Sequence, residues 1–136
     1  MFLAGFIFGM GVTAAIFSVI AVALIRKFGK KLVGFRSTWP TGFGACFLGY
    51  WITLVLGGGW SRYHPLVTSG DLLRHVFIVY GVSVFIYPFV HLGISKSGGG
   101  SKPKFVQALF LGGVQVAVGL AGGTLSWWLI TLLKRT

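Results

Sequence analysis

Residues 2–25 read FLAGFIFGMGVTAAIFSVIAVALI, a run with no charged side chain. A helix rises about 1.5 Å per residue, so this run is long enough to cross a hydrocarbon core of about 30 Å. Ala21-Val22-Ala23 resembles a signal-peptidase site, but no basic segment precedes it and Arg26 and Lys27 follow at once. The run therefore reads as an uncleaved anchor.

Three further apolar blocks follow. The second span covers about 38–57, opened by Trp39-Pro40, where proline suits a first helical turn, and closed by Gly57-Gly58-Gly59. The third covers 72–94. Asp71 is placed to cap its N-terminus and to pair with Arg74 or His75, and Pro88 is placed to bend its last third. The fourth, 105–133, is longer than the core requires and calls for a tilt, a bend near Gly122-Gly123 or a start in the headgroup layer. These blocks predict an all-α membrane protein: one transmembrane domain of four helices joined by short loops.

Composition narrows the alternatives. Of 136 residues 55% are hydrophobic and 10% charged, with a mean hydropathy of +0.88, against about 25% charged in a soluble domain. Disordered and collagen-like chains are excluded, and the single Cys46 forbids an internal disulfide.

Eight of the twelve basic residues fall in two gaps, with Arg26, Lys27, Lys30, Lys31 and Arg36 in the first and Lys96, Lys102 and Lys104 in the other. By the positive-inside rule these gaps stay on the cytoplasmic or matrix side, and both termini face outward. Trp60, Tyr63, Trp127 and Trp128 then gather at the outer interface and Trp39 marks the inner one. The stretch KSGGGSKPK reads as a flexible connector. Basic residues confined between apolar blocks attract anionic phospholipid, cardiolipin included, rather than nucleic acid; Arg26, Lys27, Lys30, Lys31, Arg36, Lys102 and Lys104 are the expected headgroup contacts.

Asp71 is the single acid, which leaves carboxylate dyads, two-metal clusters and Ser-His-Asp triads without their parts. His64, His75 and His91 fall at different depths, so no bis-histidine haem or metal site is expected, and no cofactor is assigned. The GxGxxA match at 9–14 lies inside a charge-free span and cannot cradle a pyrophosphate. Gly98–Lys102 lacks Walker spacing. Cys46, in mid-span, reads as a small apolar filler.

In lipid, helices associate through small residues and interhelical hydrogen bonds. Gly5, Gly9 and Thr13 form such a row, as do Ala45, Gly49, Thr53 and Gly57, and in the fourth span Ala108 with Gly112 and Gly119 with Gly123. These rows are expected to pack within the bundle, with docking onto a different chain as the alternative. Phe2, Phe6, Phe17, Phe77, Phe85 and Phe89 are expected to meet lipid or a larger assembly. Tyr80, Ser83, Tyr87 and His91 share one face of the third helix at about 100° per residue, and Gln115 on the fourth lies at the depth of Tyr87. A Tyr87–Gln115 hydrogen bond is therefore expected, in a stripe that serves as interhelical glue.

The sequence supports three function classes. The first is a non-catalytic accessory subunit of a larger complex in an energy-transducing membrane, of respiratory-chain or ATP-synthase type, in the mitochondrial inner or bacterial cytoplasmic membrane, with other membrane subunits as partners. The second is a small homo-oligomeric channel or transporter using the polar stripe. The third is a holin-like permeabilising protein.

Overall fold

The computed structural model describes residues 2–136, Phe2 by its backbone alone, so the lipid contact expected of the Phe2 side chain lies outside the described part. Four helices run α1 (Phe2–Val33), α2 (Trp39–Tyr63), α3 (Ser69–Ile94) and α4 (Phe105–Arg135). All four are long and apolar enough to cross a membrane, and the protein is an all-α, multi-pass integral membrane protein. Each helix packs on its chain neighbours, and α4 closes the ring against α1. Both termini sit at one end of the bundle and the basic loops at the other.

Each helix turns one stripe inward. On α1 the buried residues are Ala14, Ser18, Ala21, Val22, Ile25 and Gly29, and on α4 they are Ala108, Leu111, Gly112, Gln115, Val118 and Gly119. Both sets recur at three- and four-residue steps, the spacing of one helical face. Phe77, Phe85 and Phe89 point outward, at 70%, 73% and 65% exposure. Phe17 does not join them: its ring meets Tyr50 edge-on at 6.0 Å and lies over Gly122. Phe6 is 44% exposed, with the tip of its ring lying against Gly58.

The helix ends differ from the sequence reading, for identifiable reasons. The first helix continues past residue 25 to Val33, because nothing breaks it until Gly34 takes a positive φ of 70°. Arg26, Lys27, Lys30 and Lys31 therefore belong to the helix rather than to a loop. Its 32 residues give it about 48 Å of length, so its basic end extends beyond the apolar core. The second helix runs through Gly57–Gly59 to Tyr63. Gly57 and Gly58 allow close approach rather than ending the helix: a Cβ on Gly58 would lie 2.7 Å from Met10 Cε and 2.9 Å from Phe6 Cζ, and one on Gly57 would touch His75 and Val79. The third helix starts at Ser69, three residues earlier than expected, under a capping box in which the Thr68 hydroxyl accepts from the Asp71 N–H and the Asp71 carboxylate accepts from the Thr68 N–H. That carboxylate also takes the Val67 N–H, and Asp71 forms no ion pair with Arg74 or His75 among the described residues. The third helix runs unbroken through Pro88, and the fourth is one continuous element to Arg135 in which Gly122 and Gly123 pack on Phe17 and Tyr80.

The basic end is stitched together. Ser37 and Ser97 form an isolated antiparallel bridge, the Thr38 N–H donates to the Lys96 carbonyl, and the Thr41 hydroxyl both donates to that carbonyl and accepts from the Lys96 N–H. Gln107 reaches across to the Val33 carbonyl. The KSGGGSKPK segment is accordingly a hydrogen-bonded turn, closed by Ser97 N–H to Ser101 O and by Gly100 at a φ of 82°. Arg26 donates to the Ser37 carbonyl at 2.6 Å and lies over the Trp39 ring. This cation therefore holds the first loop, whereas Lys27, Lys30, Lys31, Arg36, Lys102 and Lys104 are exposed.

Candidate functional site

The inward polar residues form two clusters in the middle and basic half of the bundle. In the first, the Gln115 amide spans three helices: its Nε2 donates to the Cys46 carbonyl at 2.9 Å and its Oε1 meets His91 Nε2 at 2.9 Å. The Cys46 carbonyl can only accept, which fixes the orientation of the amide and makes His91 Nε2 the donor. A neutral imidazole then accepts at Nδ1, where the Ser95 hydroxyl sits at 2.7 Å. Tyr50 donates to the Gln115 backbone carbonyl at 2.5 Å. Gln115, His91 and Ser95 are fully buried, and each has its partners.

The second cluster joins α2 and α3. Tyr87 and Thr53 hydroxyls lie 2.6 Å apart, Thr53 and Ser83 3.0 Å apart, and Thr53 and Ser83 reach the Gly49 and Val79 carbonyls at 3.0 and 2.7 Å. With the Ser83 and Thr53 protons directed to those carbonyls, Tyr87 is the donor to Thr53. Tyr80 donates to the Gly119 carbonyl of α4. Every hydroxyl in the stripe thus donates within the protein, and what the arrangement accomplishes chemically is to tie helices together.

Tyr80, Ser83, Tyr87 and His91 do share the inward face of α3, but the expected Tyr87–Gln115 hydrogen bond is not formed. Glycine explains the change. A Cβ on Gly49 would lie 2.5 Å from Gln115 Nε2 and 2.9 Å from Tyr87 Cδ1. The amide thereby passes Tyr87 and reaches α2, and Tyr87 takes Thr53 instead. Tyr50 and Ser95 were not identified from sequence. The signal for Tyr50 was its place beside the Ala45–Gly49–Thr53 row; Ser95, four residues beyond His91, carried the i,i+4 signal.

Of the small-residue rows, Ala45, Gly49, Thr53 and Gly57 on α2 and Ala108, Gly112 and Gly119 on α4 face the interior. At Gly112 α3 comes close against α4: a Cβ there would lie 2.8–2.9 Å from the Pro88 ring. Gly123 faces Tyr80. The α1 row is different: Gly5, Gly9 and Thr13 are exposed, and a Cβ on Gly5 or Gly9 would meet nothing within 4 Å. That row does not pack within the bundle, because α1 turns Ala14, Ser18 and Ala21 inward instead.

The half of the bundle at the termini is looser. A cavity of about 500 Å³ opens among all four helices there, with Thr53 and Tyr80 toward the bundle centre and His75, Val76, Leu120 and Trp127 along its walls. Elsewhere at this end, the His64 ring stacks on Trp60 at 4.2 Å. No group of three or more His, Cys, Asp or Glu residues converges among the described residues.

Fold and site together define a four-helix membrane protein with a hydroxyl- and amide-bonded core. Compared with protein families, characterised proteins and solved structures, the chain matches none.

Proposed function

We propose that the chain is a non-catalytic structural subunit of a larger membrane assembly, of respiratory-chain or ATP-synthase type, and that it docks through the outward face of α1. The observation that carries this reading is the position of Gly5 and Gly9. Rows of small residues permit close helix approach in lipid; those of α2 and α4 are filled from within, whereas on α1 a Cβ at Gly5 or Gly9 would meet nothing within 4 Å among the described residues. The polar stripe supports the same reading, since its hydroxyls donate to backbone carbonyls and to one another rather than to a passing solute.

The exposed Lys27, Lys30, Lys31, Arg36, Lys102 and Lys104 gather at one end and suit anionic headgroups, cardiolipin among them. Under the positive-inside rule that end faces the matrix or cytoplasm, and the termini face the opposite side of a mitochondrial inner or bacterial cytoplasmic membrane. The test is native electrophoresis after mild-detergent extraction, comparing the wild type with Gly5→Leu/Gly9→Leu. Comigration with a large assembly in the wild type, lost in the variant with its helical content intact, is the expected result. A discrete small oligomer of this chain alone, unchanged by the substitutions, overturns the proposal.

A further inference from the structure

The cavity at the terminal end has a specific chemistry. Its lining carries no Lys, Arg, Asp or Glu among the described residues. Along α3 it extends from Leu72 to Tyr80, about 12 Å at helical rise. Its volume of about 500 Å³ lies within the range of about 300–1,000 Å³ typical of small-molecule sites, which are mainly apolar with a few placed polar groups.

Most of the polar side chains in the wall already have partners. Thr53, Ser61, Tyr80 and Thr124 donate to the carbonyls of Gly49, Gly58, Gly119 and Leu120. His75 does not: it makes no hydrogen bond, its Nδ1 is covered and unpartnered, and its ring lies against Gly57. The Trp127 indole N–H is also without a partner, on a side chain 58% exposed at the termini end. His75 is half-buried, and a covered ring nitrogen without a hydrogen bond is costly in a low-dielectric setting, while an apolar space with few polar partners does not hold water well.

We infer that this cavity binds a neutral, single-chain lipid from the bilayer, its chain between Val76, Val79 and Leu120 and its hydrogen-bonding head beside His75. Neutrality follows from the uncharged lining, since a charged head would be desolvated there without a counter-ion. A single chain follows from the length and volume of this partly open site between four helices. The inference is independent of the docking face on α1.

The test uses the full chain in phosphatidylcholine vesicles with a monoacylglycerol carrying a diazirine in its chain. After irradiation, labelled peptides are expected at Val76, Val79 and Leu120, in addition to unselective labelling of outward residues such as Phe77 and Phe85. Leu54→Phe/Val76→Phe, which fills the cavity, removes the inward labels, whereas Val84→Phe on the outward face leaves them. Labelling confined to outward positions, or inward labels that survive the filled variant, overturns the inference.

A second readout covers the head and does not depend on the filled variant folding. Unlabelled monoacylglycerol is expected to displace the inward label better than an alkane of the same chain length, and His75→Phe is expected to reduce that preference about fivefold, the size of one hydrogen bond. Equal displacement by the two competitors in the wild type contradicts a placed head.

Discussion

Substituting Gly49 by alanine perturbs the point where α2, α3 and α4 meet. The added methyl would lie 2.5 Å from Gln115 Nε2 and 2.9 and 3.1 Å from Tyr87 ring carbons, so both groups must move. Neither moves freely: the amide is held by Cys46 and His91, and the Tyr87 hydroxyl by Thr53. Overpacking of this kind costs about 1–3 kcal/mol. Displacing the amide weakens two interhelical hydrogen bonds worth about 0.6 kcal/mol each in a membrane protein. Alanine also returns up to about 1 kcal/mol of helix propensity. Gly9→Ala isolates that last contribution, because the same methyl there meets nothing within 4 Å. Gly49→Ala should therefore be less stable than Gly9→Ala by about 2–4 kcal/mol. Equilibrium unfolding in mixed micelles, followed by circular dichroism, measures the difference. Equal stabilities for the two variants would refute the argument that Gly49 admits the Gln115 amide to α2.

Gly112→Ala should destabilise by about 2 kcal/mol, because the methyl meets the rigid Pro88 ring rather than a flexible side-chain end; the same unfolding assay checks it. Tyr50→Phe and Tyr80→Phe each remove one hydrogen bond to an α4 carbonyl and should each cost about 0.6–1 kcal/mol. Their combined effect should depart from the sum, since both rings pack on Gly119. Tyr87→Phe combined with His91→Ala, in reconstituted vesicles, should leave proton and small-solute flux at the wild-type level; loss of a wild-type flux in that variant would favour a conducting role for the stripe.

How the four helices arise is plain from the charge-free runs and their basic separators, since crossing hydrocarbon demands length and apolarity and little else. The helix ends were less legible. Gly57-Gly58-Gly59 carries the signature of a stop, yet Gly57 and Gly58 serve close packing, and only the positions of Phe6, Met10 and His75 tell the two uses apart. Arg26 through Lys31 reads as a loop by charge, but Gly29 alone is too weak a breaker and the helix continues to Val33, before Gly34 takes a positive φ. The inward face of α3 followed from its spacing, whereas the partner of Gln115 did not. Depth along a helix is encoded by residue count; the rotation of α4 against α2 depends on which glycine lets a side chain through. Gly5 and Gly9 show the same limit, because a small-residue row states that close approach is possible and not which helix makes it.

The central claim, four crossings with both termini opposite the basic loops, is tested most directly by sided thiol labelling. In a Cys46→Ala background, Gly99→Cys and Thr136→Cys are exposed to a membrane-impermeant maleimide in sealed vesicles of known orientation. The account predicts that from any one side only one of the two is labelled before permeabilisation, Thr136→Cys reacting from the outer face and Gly99→Cys from the inner. Labelling of both positions from the same side would contradict it.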